Sequence, residues 1–278
     1  MGTLEGKVAF ITGAARGQGR SHAIRLAEEG ADIIAIDIAH DIETMQYALA
    51  TPDDLAETVR QVEALGRRIM ATQADVRDFD AVKGAVDAGV AEFGRLDIVV
   101  PNAGIMGFAR VEDFTEDAWA NMIAINLTGV WHAVKASIPH VRAGGRGGAI
   151  ILTSSTYALM GAPNAGGYVA AKHGVVGLMR TLALELAPEF IRVNTVAPTV
   201  VDTTMVQNEA IYSLFAPELP PEERTPEVIY PRFQGLNAMP IPFVEPRDVS
   251  NAVAWLASDE ARYVTGINLS VDAGAVLK

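Results

Sequence analysis

Short β-branched apolar runs alternate with longer stretches of helical spacing along almost the whole chain. KVAFIT (7–12), DIIAID (32–37), RIMATQ (68–73), LDIVVP (96–101), GAIILT (148–153), IRVNTV (191–196) and INLSV (267–271) read as strands. Between them lie helical segments such as GRSHAIRLAEEG, closed by Gly30, and DLAETVRQVEALG, closed by Gly66. Each ends on the residue that tolerates a left-handed C-terminal conformation. Strands separated by helices predict a parallel sheet covered on both faces. The pattern therefore predicts an α/β, doubly wound Rossmann fold over 1–278 as one domain, with strand order 3-2-1-4-5-6-7 and ligands at the carboxyl ends of the strands.

Two segments break the rhythm. Residues 38–52 (IAHDIETMQYALATP) stand between the second strand and its helix, where two to six residues are usual. Residues 200–246 hold eight of the fourteen prolines together with Met205, Phe215, Tyr230, Phe233, Met239 and Phe243. A long, proline-punctuated, apolar excursion beside an expected ligand crevice reads as a lid; a packing or oligomer arm is the alternative.

Charge and composition narrow the partners. The chain of 278 residues carries 22 Lys and Arg against 34 Asp and Glu, a formal net charge of −12, so its average surface repels phosphate backbones and anionic lipid. Neither nucleic acid nor a membrane is expected as a partner. There is no cysteine, which excludes disulfides and thiolate chemistry and makes a reducing cytoplasm the default location. The first seven residues, MGTLEGK, lack the basic and apolar regions of a signal peptide, and Gly6 stands where a myristoylation motif wants Ser or Thr. The five histidines (22, 40, 132, 140, 173) show no metal-ligand spacing with carboxylates, and no catalytic metal is expected. GGRGG (144–148) reads as a turn into the fifth strand.

The first strand runs into Thr12-Gly13-Ala14-Ala15-Arg16-Gly17-Gln18-Gly19 and then a helix. Glycines at 13, 17 and 19 permit a tight turn and close backbone approach, with free N–H groups at the helix start for a pyrophosphate. Asp37, closing the next strand, can accept hydrogen bonds from adenosine ribose hydroxyls and would repel a 2′-phosphate. Arg16 argues the other way, since it could pair with that phosphate. The carboxylate outweighs it, because an arginine on a loop can turn elsewhere, and NAD is expected over NADP.

Tyr168 and Lys172 are four apart in a helical segment and so share one face. A phenol titrates near pH ~10, and a nearby ammonium favours its anion. Lys172 is expected to lower the Tyr168 value in this way and to hydrogen-bond the nicotinamide ribose. Ser155 follows the fifth strand directly, at the ligand edge of the sheet, and can hold and polarise a substrate oxygen; Ser154 competes for that role. Asn126, in MIAINLTGVW, offers an amide to organise a water leading from Lys172 to solvent.

These residues together resemble the short-chain dehydrogenases/reductases, over essentially the whole chain. The resemblance rests on TGAARGQG (12–19), Asp75-Val76, Asn102-Ala103-Gly104, Asn126, Ser155, the Tyr168/Lys172 pair, Asn194, Pro198 and GINLSVDAG (266–274). It implies Asn126, Ser155, Tyr168 and Lys172 as a catalytic tetrad, with hydride exchanged between NAD and an alcohol or ketone. It places Asp75 and Val76 at the adenine, Asn102 beside the cofactor ribose, and the Val201 backbone and Thr203 side chain at the carboxamide. It also implies a homotetramer formed through the helices holding Asn126 and Tyr168 and through the last strand. Pro101 and Thr199 depart from the usual asparagine and glycine and bear on the nicotinamide side only.

The inserted loop, with ATPDDLAETVRQVEALGRR (50–68) and LTSSTYALMGAPNAGGYVAAKHGVVGLMR (152–180), is similar to the carveol-dehydrogenase-like, mycofactocin-associated branch. There the loop is taken to cover NAD, and an external electron acceptor recycles it in place. Here Ile42, Met45, Tyr47 and Leu49 would bury the cofactor. Expected pocket walls are Ile105, Met106, Ser155, Tyr157, Met160, Met205, Tyr212 and Phe215, which suit a hydrophobic secondary alcohol. The alternatives are a reductase of acyl-chain or steroid ketones and a non-catalytic nucleotide-binding protein.

Overall fold

The computed structural model describes residues 2–278. Among these, seven parallel strands form one sheet: β1 (Val8–Thr12), β2 (Asp32–Asp37), β3 (Ile69–Gln73), β4 (Ile98–Val100), β5 (Gly148–Thr153), β6 (Ile191–Pro198) and β7 (Asn268–Val271). Their order is β3-β2-β1-β4-β5-β6-β7, as the strand and helix rhythm predicts. The connecting helices are α1 (Gly17–Glu28), α2 (Pro52–Ala64), α3 (Phe79–Phe93), α4 (Glu116–Ile123), α5 (Gly129–Ala143), α6 (Gly166–Leu186), α7 (Glu209–Phe215), α8 (Pro226–Gln234) and α9 (Pro246–Ala257).

The continuous apolar strands divide their side chains between two cores, because successive residues point to opposite faces. Val8 and Phe10 pack with Ile34, Val99 and the α3, α5 and α6 side chains Val86, Val134 and Met179. Ala9 and Ile11 pack with Ile33, Val100 and the α1 and α9 side chains Leu26, Val253 and Leu256. Strand order reverses between β1 and β4, and the crevice at their carboxyl ends is where this fold gathers ligands.

The lid segment is more regular than its prolines suggest. It contains α7 and α8, with Pro226 opening α8 and Pro231 inside it. Both helices close on a small core of Ile211, Ala216, Ile229 and Phe233. The segment ends where expected, with Pro246 beginning α9. Residues 38–50 form no helix or strand, and the chain regains regularity at a capping box on Thr51 and Asp54 ahead of α2.

Candidate active site

The glycine loop has the shape its composition dictates. Gly13 sits at φ +67°, and a Cβ there would lie 2.7 Å from the Ala103 Cα; a Cβ on Gly19 would lie 1.9 Å from the Gly13 carbonyl oxygen. Only bare backbone fits. The loop is fastened to the end of β4: the Asn102 and Ala103 N–H groups donate to Thr12 Oγ1 (3.0 and 2.9 Å), and Asn102 Nδ2 donates to the Thr12 carbonyl (3.1 Å).

A crevice runs past this loop, lined by Gly13, Arg16, Gly17, Asp37, Asp75 and Val76 among others. Asp37 accepts from the Ala15 and Ala39 N–H groups at 2.9 and 3.0 Å, one on each oxygen, which leaves each oxygen lone-pair capacity toward the crevice. Burial pushes its carboxyl above the ordinary range, against these hydrogen bonds and the Arg16 charge. Arg16 does not stand free for a 2′-phosphate: its Nη2 donates to the Ala48 carbonyl of the inserted loop at 2.5 Å. Arg77 holds the Asp75 carboxylate through its main-chain N–H and its guanidinium. From the inserted loop, Ile42, Tyr47 and Leu49 form the opposite wall. The Tyr47 hydroxyl accepts from the Met106 N–H at 3.2 Å, so the loop spans from the glycine turn to the far side of β4.

The crevice opens into a second cavity of about 390 Å³. Gln18, Asn102, Gly104, Thr203 and Met205 line both. Around this second cavity the fold brings together Asn126, Ser155, Tyr168 and Lys172 from a helix bulge, a strand end and α6. All four are buried. The Lys172 Nζ lies 5.4 Å from the Tyr168 ring centre, the expected consequence of one helical turn. The Ser155 hydroxyl accepts from the Tyr157 N–H at 3.2 Å and lines the same cavity as the Tyr168 phenol. Ser154 turns inward instead, its hydroxyl donating to the Lys172 carbonyl at 3.4 Å.

Burial and hydrogen bonding bear on two of these roles. Burial pushes the Tyr168 phenol well above its ordinary value, opposed by Ser155 and reinforced by the neighbouring Tyr47 and Tyr157 phenols. The Lys172 ammonium donates to the Thr153 carbonyl at 2.8 Å, and burial lowers its own value to about 8. Desolvation is the largest influence on the phenol and favours its neutral form. Asn126 lies in a π-helical turn, Ala124–Thr128, and spends both amide hydrogens on the Ile105 and Met122 carbonyls (3.0 Å each). Its Oδ1 accepts from the Ile105 N–H at 3.1 Å, which leaves one lone pair for a water. That oxygen and Lys172 Nζ meet at Gly104, where a Cβ would lie 2.8 and 3.8 Å from them.

The walls also differ in part. Met106, Tyr157, Met160, Met205 and Phe215 line the cavity, while Ile105 faces the crevice. Tyr212 turns into the lid, its hydroxyl donating to Gln207 Oε1 at 2.5 Å. Pro198 and Val201 line the cavity alone, and the Thr203 hydroxyl lies 3.4 Å from the Val201 carbonyl. Phe108, Leu236 and Lys278 are among further lining residues that were not expected. They arrive from a loop, the lid and the last residue of the sequence, and no motif marks them.

A dinucleotide fits this arrangement on its own terms: a loop that a Cβ would fill, a buried strand-end carboxylate, and a Gln18 Oε1 that is buried without a partner. Among the described residues no group of His, Asp and Glu side chains could hold a metal ion.

A family profile described as short chain dehydrogenase matches residues 7–211, and one described as Enoyl-(Acyl carrier protein) reductase matches 232–276. The (-)-trans-carveol dehydrogenase of Rhodococcus erythropolis is 53% identical over 100% of both chains. A crystal structure of carveol dehydrogenase from Mycobacterium avium in complex with NAD superposes with a TM-score of 0.98, at 57% identity and 100% coverage of both chains. A short chain dehydrogenase from Mycobacterium paratuberculosis bound to NAD gives 0.91 at 46% identity, again over 100% of both. With the glycine loop, the sheet order and the clustered tyrosine and lysine carried on a chain that matches such relatives from end to end, the protein belongs to the short chain dehydrogenase family.

Proposed function

We propose that this protein is an NAD-dependent dehydrogenase of hydrophobic secondary alcohols of the carveol type. One observation carries the reading. The crevice holding Asp37 and the glycine loop opens directly onto an apolar cavity in which Ser155, Tyr168 and Lys172 converge.

Gly13, Gly17 and Gly19 give the pyrophosphate its backbone donors, Asp37 takes the adenosine ribose, and Asp75 and Val76 flank the adenine. Asn102, Ala103, Gly104, Pro198, Val201 and Thr203 frame the nicotinamide half. When bound, the oxidised nicotinamide supplies a positive charge and the acceptor for a hydride from the carbinol carbon. Ser155 holds the substrate oxygen and Tyr168 exchanges its proton. The neutral phenol is the form that donates to a ketone, whereas oxidation needs that proton first to leave for solvent, relayed past Lys172 and a water held on the free lone pair of Asn126. A Lys172 value of about 8 lets its ammonium give up and regain a proton close to neutrality. Tyr168→Phe should lower kcat by at least about a hundredfold, the usual worth of a general acid–base group, while NAD affinity stays within twofold. Retention of a tenth of wild-type turnover would refute the assignment.

The inserted loop supports a second layer of the proposal: NAD is retained under residues 38–52, co-purifies with the protein, and is recycled in place by an external electron acceptor, as in mycofactocin-associated enzymes. Mass spectrometry of the purified protein, followed by an alcohol panel with and without an artificial acceptor, tests it. Protein free of nucleotide that turns over rapidly with added NAD would refute it. A homotetramer is supported by Trp119, Trp131 and Leu184, which α4, α5 and α6 leave exposed. A cytoplasmic location is consistent with the absence of cysteine, and no helix among the described residues is long and apolar enough to cross a membrane.

A further inference from the structure

Thr199 follows β6 directly and lines the substrate cavity. The sequence assigns it to the nicotinamide side, yet its hydroxyl turns to the lid and donates to Asn237 Oδ1 at 3.1 Å. Asn237 is enclosed, at 2% exposure, and its amide nitrogen donates to the Ile241 carbonyl at 2.8 Å. The amide orientation is thereby fixed, and Thr199 is the one donor that the described residues bring to its oxygen. A buried amide oxygen that loses its donor does not recover the bond from water.

Asn237 stands where the lid turns back to the body of the fold. Just before it, Phe233, Gly235 and Leu236 wall the cavity. Just after it, the Ala238 and Met239 N–H groups donate to the Ala273 carbonyl at 3.0 and 2.9 Å. Lys278 Nζ also donates to the Gly235 carbonyl at 3.0 Å, but in an exposed position, where water competes for both partners. We propose, on the dehydrogenase reading above, that Thr199 is a positioning residue: its hydrogen bond to Asn237 seats the wall of Phe233 and Leu236 against the alcohol and so governs how tightly the alcohol is held. Ser155, Tyr168 and Lys172 come from the end of β5 and from α6, outside the lid. A loosened wall therefore lowers the fraction of molecules with a closed cavity and weakens apparent binding in the same proportion, while the chemical step of a bound alcohol stays unchanged.

Steady-state kinetics with carveol, at saturating NAD and artificial electron acceptor, test this. Thr199→Val keeps the shape and removes the donor, and should raise KM about tenfold, the worth of one buried hydrogen bond, with kcat within about threefold of wild type. Thr199→Ser restores the hydroxyl and should keep KM within about twofold of wild type. Asn237→Leu should raise KM at least as much as Thr199→Val, and adding Thr199→Val to it should change KM by less than about twofold, because the pair shares one lost bond. A Thr199→Val KM within about twofold of wild type, or a lower kcat or NAD affinity at unchanged KM, would overturn the role of Thr199 even where Asn237→Leu fails to fold. A wild type that oxidises no secondary alcohol would overturn the dehydrogenase reading and this inference with it.

Discussion

Tyr47→Phe isolates one fastening of the inserted loop. The loop is tied across the crevice by Arg16 Nη2 to the Ala48 carbonyl (2.5 Å), by the Met106 N–H to the Tyr47 hydroxyl (3.2 Å), and by Asn121 Nδ2 to Thr44 Oγ1 (3.1 Å). Removing the Tyr47 oxygen leaves the ring in place and deprives the Met106 N–H of its partner. If water reaches that N–H, the loss is about 1 kcal/mol, or about fivefold; if it stays dry, the cost rises to about 3 kcal/mol, a little over a hundredfold. A nucleotide that must lift the loop to leave should then dissociate about 5 to 100 times faster. The assay loads protein with isotopically labelled NAD, chases with unlabelled NAD, and counts retained label over time. Thermal unfolding run alongside checks that the change is confined to the loop, whose opening is a local event. A dissociation rate within twofold of wild type would refute the reasoning, because the hydrogen bond that joins the inserted loop to the segment after β4 would then play no part in release.

Further outcomes follow from other parts of the structure. Asp37→Ser removes the carboxylate that the Ala15 and Ala39 N–H groups hold at the crevice, and should raise the kcat/KM ratio of NADP to NAD by at least about tenfold, measured with one alcohol. Phe233 is fully buried, with the Phe215 ring edge-on at 4.8 Å, so Phe233→Ala should cost the lid about 3–5 kcal/mol. The expected readouts are early proteolysis between α7 and α8 and a raised KM for the alcohol. His22 is held neutral by burial, its value lowered to about 3, while in the unfolded chain it titrates near pH ~6.5. The unfolded state therefore binds the extra proton. The stabilisation is complete above pH ~6.5 and is lost as pH falls, at about 1.4 kcal/mol per unit. His22→Leu should flatten urea-derived stability between pH ~6.5 and 5, above the range where carboxylates titrate.

Local rules account for what the sequence made legible. Alternating apolar runs and helix-closing glycines set the sheet, because both signals act within a few residues of themselves. The glycine loop could be read for the same reason: Gly13 and Gly19 have no room for a Cβ, and that constraint shows in the residue type. Tyr168 and Lys172 share a face through helix geometry alone. The lid was legible as a proline-rich excursion and not as two helices, since α7 and α8 are short and held by the Phe233 core rather than by propensity.

Periodicity, spacing and residue type carry the sheet, the phosphate-cradling turn and the identity of the side chains available for proton transfer. Tertiary structure alone decided their condition. Whether Tyr168 rests as a phenol, whether Lys172 titrates near neutrality and whether Asn126 has an amide hydrogen to spare all depend on burial and on partners far away in the chain. Only packing could decide that Tyr212 turns into the lid while Lys278 reaches the cavity. The physical reason is common to these cases. Desolvation and hydrogen-bond competition are set by everything that surrounds a group, and a linear motif records only its neighbours in the chain.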